Sequence, residues 1–342
     1  MVPMDKIHGA KIVVIGGGTG SFVVLSGLKN YTADLTALVS MVDDGGSTGV
    51  LRDELGVLPP GDVRQCLVAL SRSPRVRDLF NYRFDGGALC GHSFGNLFLA
   101  ATEKMTGSFR EGVALASEIL NVTGRVEPIS TNPVTLFLGD GKKVLRGEDT
   151  VDNGQFVPRP QIWLEPKPKV NPAALTAIKQ ADVVVVAPCS LYESLGTILI
   201  TPGVAEALTA SRAKVVYICN LVNKLGQTDG FMVHDYAAEL ERLAGRPFID
   251  YVIYNTNQPS ARLLKLYAAE GSAPVGVDAA ALKSAHYRSK GANLLAESIW
   301  QNPNSKVDKL AKRRTLIRHD PDAVARAVMK ICFGSGGNSE RI

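Results

Sequence analysis

Apolar residues in this chain fall in short unbroken runs rather than in strict alternation. Lys11-Ile12-Val13-Val14-Ile15, Leu35 to Val42, Asp182 to Ala187 and Lys214 to Cys219 are such runs, and Asp250 to Tyr254 is a weaker one. Runs of this kind suit strands buried on both faces of a parallel sheet. Helical patterns lie between them. Phe22, Leu25 and Leu28 share one face of a helix over Ser21 to Lys29. Asn171-Pro172, Thr201-Pro202 and Asp320-Pro321 each pair a capping residue with a first-turn proline, which predicts helices over Ala173 to Gln180, Val204 to Ser211 and 320–333. Strand and helix in alternation predict an α/β fold, a Rossmann-like doubly wound and mostly parallel sheet.

One stretch breaks the rhythm. Residues 126–170 carry prolines and short alternating runs, and Asp140-Gly141 between Val134 to Leu138 and Lys143 to Arg146 is a hairpin signal. The expectation is one domain over 1–342 with a β-rich insertion at about 126–170.

Composition narrows the class. Hydrophobic residues make up 45% and charged residues 21% of 342, which excludes a disordered chain. The net charge of +5 is too small to argue for a nucleic-acid partner. Five scattered cysteines form no C-x-x-C pair, so neither a zinc ribbon nor a disulfide framework is indicated. The N-terminus lacks the apolar core of a signal peptide, and no run approaches the roughly 18 residues of a membrane span. A cytoplasmic protein is the expectation. The basic stretch Lys309 to Arg318 reads as a solvated face or linker, or as an arm contacting an anion.

Several segments can carry chemistry. Gly16-Gly17-Gly18-Thr19-Gly20 sits between the first strand and the first helix, where backbone amides and a helix N-terminus suit a phosphate. No Gly-Lys-Ser/Thr follows, so it is not a Walker A loop. Asp43-Asp44-Gly45-Gly46-Ser47 offers paired carboxylates for ribose hydroxyls, a metal or a proton. Leu58-Pro59-Pro60-Gly61-Asp62 precedes Gln65 with the spacing of a capping box. Gly91-His92-Ser93-Phe94-Gly95-Asn96 matches the G-x-S-x-G elbow of a serine hydrolase, yet Asp85 to Cys90 is a poor strand to precede one. The other reading is a loop entering a helix that offers amides and Asn96 to a ligand. Ser190-Leu191-Tyr192, Asn220 and Asn255 end later strands, and ligands of open parallel sheets bind outside such ends.

Taken in order, and together with Thr228-Asp229-Gly230-Phe231, these segments resemble the YvcK-like gluconeogenesis factor family of the 2-phospho-L-lactate transferase (CofD-like) superfamily, over nearly the whole chain. The resemblance implies a cytoplasmic bacterial regulator needed for gluconeogenic growth and for cell shape and peptidoglycan synthesis. It implies a UDP-sugar ligand, UDP-N-acetylglucosamine above all, with no established reaction. The transferase branch, the alternative, uses magnesium to move a phospholactyl group from a guanosine dinucleotide adduct to a deazaflavin alcohol. On this resemblance the ligand contacts are Gly16, Gly17, Gly18, Thr19, Gly20, Asp43, Asp44, Asn96, Ser190, Leu191, Tyr192, Asn220 and Arg318. Asp43 and Asp44 are catalytic candidates, and Mg2+ a cofactor, under the transferase reading only. A homo-oligomer and cell-wall synthesis proteins are candidate partners. Three departures stand out: Cys189 replaces the family's usual glycine, Leu195 to Leu199 lacks its usual Asn, and Lys224-Leu225-Gly226 replaces a Gln-Pro-Gly turn.

Overall fold

The structure, a computed structural model, describes residues 9–269, 271–296 and 317–334. Most of the basic stretch 309–318 lies outside these; Ile317 and Arg318 are within. Seven strands form one parallel sheet: β1 (Ile12–Ile15), β2 (Leu35–Val39), β3 (Arg125–Pro128), β7 (Val183–Val186), β8 (Lys214–Ile218), β9 (Tyr251–Asn255) and β10 (Arg288–Ala292), in the order β10-β9-β8-β7-β1-β2-β3. Every residue of β1, β2 and β7 is buried. Each fully buried Val, Ile or Leu adds roughly 1.5–3 kcal/mol of hydrophobic stabilisation, so these central strands anchor the core.

The chain leaves β1 for β2 on one side and returns as β7 on the other, so the order reverses between β1 and β7. Helices cover the sheet. Those that position the site are α1 (Gly18–Leu28), α2 (Gly46–Leu55), α3 (Gly61–Leu70), α4 (Phe94–Thr106), α5 (Glu148–Asp152) and α6 (Pro321–Phe333). Asn171 and Asp320 act as the expected caps: their side chains accept the amides of Ala173 and Ala323. Thr201 does not. The cap of Val204–Ala210 is Gly203, and the Thr201 hydroxyl donates to the Thr197 carbonyl instead.

A second sheet, β5-β4-β6, is antiparallel and comprises β4 (Thr135–Gly139), β5 (Val144–Arg146) and β6 (Gln161–Glu165). The Asp140-Gly141 turn joins its first two strands, which pair Phe137 with Arg146. Val126 belongs instead to β3, at the edge of the large sheet, so the small sheet starts only at Thr135. Among the described residues no helix is long and apolar enough to cross a membrane.

Candidate functional site

The glycine turn follows β1, and Ser190 follows β7, so both border the crevice where the strand order reverses. Gly18 to Gly20 are partly exposed and form the first turn of α1. The turn is packed from below. The Cys189 thiol donates to the Gly17 carbonyl at 3.0 Å, and the Gly17 amide donates back to the sulfur at 3.4 Å. Burial pushes this thiol up to about 11, so it stays protonated and able to donate. The Cys189 side chain therefore braces the glycine turn through two hydrogen bonds to the Gly17 backbone.

Asp62 lies against the same turn. Its carboxylate accepts the Gly18 amide, and a Cβ on Gly17 would overlap its oxygen, so a side chain at residue 17 would have to displace Asp62. Asp62 is not the cap of α3. That place is held by Pro60, and the capping box with Gln65 is absent. Burial and the neighbouring Asp43 raise the Asp62 carboxyl to about 7. Burial also raises Asp43, whose carboxylate accepts the Gly45 amide at 3.1 Å.

Asp44 is committed elsewhere. It accepts the amides of Glu148 (3.1 Å) and Asp149 (2.7 Å) at the start of α5, with Arg52 at 3.8 Å. It ties the small sheet's helix to the cleft, which leaves a base or metal ligand role to Asp43 and Asp62. Beside this pair stand Glu148, Asp152 and Glu193. Burial, then Asp43, Asp152, Glu193 and Asp62, pushes Glu148 well above the usual carboxylate range. Lys224 pairs with both Asp152 and Glu193, and the second Glu193 oxygen is buried without a hydrogen-bond partner. Among the described residues no three His, Cys, Asp or Glu side chains gather to hold a metal. Magnesium bound to phosphates commonly takes one or two protein carboxylates, and Asp62 at the glycine turn with Asp43 beside it could supply that number.

The other side of the cleft is a polar chain. Ser47 hydrogen-bonds the His92 Nδ1 at 3.0 Å, Asn96 Nδ2 donates to Ser47 at 3.3 Å, and Arg64 Nε donates to Asn96 Oδ1 at 2.9 Å. Asn96 is buried, whereas Ser47 and His92 are each partly exposed, so these two are the members of the chain that solvent reaches. Ser93 is 1% exposed, and its hydroxyl accepts the Asn96 amide as the cap of α4. A single 3-10 turn (Gly87–Leu89) precedes it in place of a buried strand. The elbow reading therefore fails: this serine is a helix cap.

The later strand ends contribute unequally. Leu191 and Tyr192 are buried, and the Tyr192 hydroxyl accepts the Arg159 amide at 3.2 Å, away from the cleft. Ser190 and Ser194 are the partly exposed side chains of that segment, and Ser194 faces Gly17. Asn220 joins two strand ends: it accepts from the Tyr217 hydroxyl and donates to the Cys189 carbonyl, both at 3.0 Å. Arg318 is half-buried between Ile317, packed on Leu221 and Tyr267, and His319, whose Nε2 meets the Cys219 carbonyl at 3.1 Å. Thus Gly16 to Gly20, Asp43, Ser190 and Asn220 meet at the crevice, and Arg318 stands at the end of β8. Asp62, Ser194, Lys224 and Glu148 lie with them; no sequence motif singled out Ser194 or Glu148, and Lys224 was noted only as part of an altered turn. Only tertiary packing brings them there.

Comparison with known proteins agrees with this architecture. Residues 12–295 match the family model described as 2-phospho-L-lactate transferase CofD. The gluconeogenesis factor of Bacillus subtilis (strain 168) is 37% identical over 94% of this chain and 98% of its own. That of Halalkalibacterium halodurans is 41% identical over 80% and 86%. A crystal structure of a Bacillus halodurans protein of the UPF0052 family superposes with a TM-score of 0.84 at 35% identity, covering 94% of this chain and 98% of that one.

Proposed function

The chain belongs to the 2-phospho-L-lactate transferase CofD family, among its gluconeogenesis factors, and from that membership we propose that it binds a UDP-sugar, UDP-N-acetylglucosamine in particular, as a regulator. One observation carries the proposal. The glycine turn opens on the crevice between β1 and β7, where the strand order reverses and where open α/β sheets place nucleotides. Amides of Thr19 and Gly20 and the Ser194 hydroxyl bind the diphosphate; Ser47 and His92 meet sugar hydroxyls; Arg318 adds a charge-assisted contact. Regulation of gluconeogenic growth and of cell shape and peptidoglycan synthesis, through cell-wall synthesis proteins, is the role proposed for the liganded form.

A magnesium-dependent phospholactyl-type transferase is the second reading. The neighbouring acids Asp43 and Asp62 favour it, since two carboxylates close enough to raise each other's proton affinity can hold magnesium against phosphates or take a proton from an acceptor alcohol. Calorimetry separates the two. Saturable heat with UDP-N-acetylglucosamine that persists in EDTA, with no product formed, supports the regulator. Absence of heat at millimolar ligand ends that reading, and turnover of a guanosine dinucleotide adduct that Asp62→Asn abolishes establishes the transferase.

A further inference from the structure

The small sheet carries a groove that the glycine-turn cleft does not use. It has a volume of about 730 Å3, within the 300–1,000 Å3 typical of ligand sites, and runs between the hairpin turn after β4 and the segment 157–161. Its aromatic residue is Trp163. Beside the groove, Phe137 stacks on Trp163 at 5.5 Å with ring planes 14° apart and so holds the indole in place, with the Arg146 guanidinium 6.0 Å over Phe137. Gly139 makes the room: a Cβ there would stand 3.3 Å from the Trp163 ring.

The walls are fixed and basic. Asp140 joins them, because its carboxylate accepts the amides of Lys142 and Lys143 on one wall and of Val157 on the other. That one acid is therefore occupied by three backbone donors, while two exposed lysines, Lys142 and Lys143, belong to the same lining. Val144 and Val157 are 62% and 45% exposed on opposite walls. The Trp163 indole, exposed valines and a surplus of cations form a complement to one ligand chemistry.

We infer that this groove is a second binding site, for an organic anion with a flat apolar body: the ring or chain lies on Trp163 between the valines, and the anionic group meets Lys142 and Lys143. Stacking and a charge-assisted contact act together, each being weak alone on an open surface. The inference is independent of what the glycine turn binds.

Anilinonaphthalene sulfonate, a flat sulfonate, is the probe. Saturable binding should quench tryptophan emission in the full chain but not in Trp163→Phe. Replacing both lysines (Lys142→Ala with Lys143→Ala) should weaken the dye by about tenfold, the equivalent of one charge-assisted contact, whereas the surface pair Lys179→Ala with Lys283→Ala should leave it unchanged. Hydrogen exchange with dye bound should slow the amides of 140–143 and 157–161. Equal dye affinity in the two lysine pairs, or protection confined to the glycine turn, overturns the inference.

Discussion

The Asp44 carboxylate accepts the Asp149 amide at 2.7 Å across 105 residues of chain. With the Glu148 amide it holds the first turn of α5, and so the small sheet, against the main one. An acid read from sequence as a metal or ribose ligand is thus a helix-start acceptor acting at long range. Asp44→Ala leaves two amides without this partner and should lower stability by about 1–2 kcal/mol, the usual loss of a capping side chain. Asp44→Asn, which keeps one carbonyl oxygen, should lose less. Thermal unfolding of the two variants checks the order. A base at this position would instead make Asn as harmful as Ala to activity.

Asp62 makes the fold pH-dependent in a defined direction. Its carboxyl titrates at about 7 in the folded chain, against 3.8 as its ordinary value. Between those values the folded state holds the proton and the unfolded state does not. The stabilisation is therefore complete below 3.8 and is lost as pH rises towards 7, at up to about 1.4 kcal/mol per pH unit. Chemical denaturation at several pH values between 5 and 8 should show this slope in the natural chain and a flatter one in Asp62→Asn. The same proton neutralises charge beside the glycine turn, so a diphosphate ligand should bind more tightly as pH falls through 7.

His319 works the other way. Burial lowers its pKa from 6.5 to about 4, so the folded chain keeps it neutral while the unfolded chain protonates it. Its contribution is present above 6.5 and is lost as pH falls towards 4. The loss should be local. His319 bridges Leu295 and meets the Cys219 carbonyl, so amide exchange at Ala296 and Asp320, whose protons bond across this bridge, should quicken at pH 5. His319→Asn should remove that acid sensitivity at some expense in stability at neutral pH.

Ser93→Ala should lower stability by about 1 kcal/mol through loss of the α4 cap. A fluorophosphonate probe should not label Ser93, because the hydroxyl is buried and already accepts the Asn96 amide. Mass spectrometry of the probed chain checks this directly. An adduct on Ser93 would restore the hydrolase reading.

The limits of the sequence pattern have physical causes. Central strands such as β1 and β7 are buried on both faces, and only that environment demands an unbroken apolar run. β3 (Arg-Val-Glu-Pro) and β10 (Arg-Ser-Lys-Gly-Ala) lie at the two edges of the sheet, where polar and charged residues protect the exposed backbone, so no run marks them. The glycine turn and Asp43-Asp44 were legible as local motifs. Which acid faces the turn was not, because Asp62, Glu148 and Glu193 meet only after three separate elements pack. Ser190-Leu191-Tyr192 marked the right strand end but not the direction of its side chains: the segment winds into a π-helical turn, Leu191–Gly196, that buries Leu191 and Tyr192.

Gly17 and Asp62 offer the sharpest test of the cleft because their coupling is steric before it is electrostatic. An alanine Cβ at residue 17 would overlap the Asp62 carboxylate, and overpacking a filled interior costs about 1–3 kcal/mol. Gly17→Ala should therefore destabilise the chain strongly, while in an Asp62→Ala background the added methyl finds space. A double-mutant cycle on unfolding free energy should give a coupling within the roughly 0.5–3 kcal/mol seen for residues in contact. Additive losses would mean that the glycine answers to some other neighbour. Binding should behave differently from stability. Removing Asp62 leaves the Gly18 amide free to face the ligand and takes a carboxylate from its vicinity, so Asp62→Ala alone should tighten the nucleotide sugar if the cleft acts as a metal-free diphosphate site. If magnesium held by Asp43 and Asp62 bridges the phosphates, the same variant should weaken it. The direction of that one change in calorimetry, with and without EDTA, decides how the cleft handles its own negative charge.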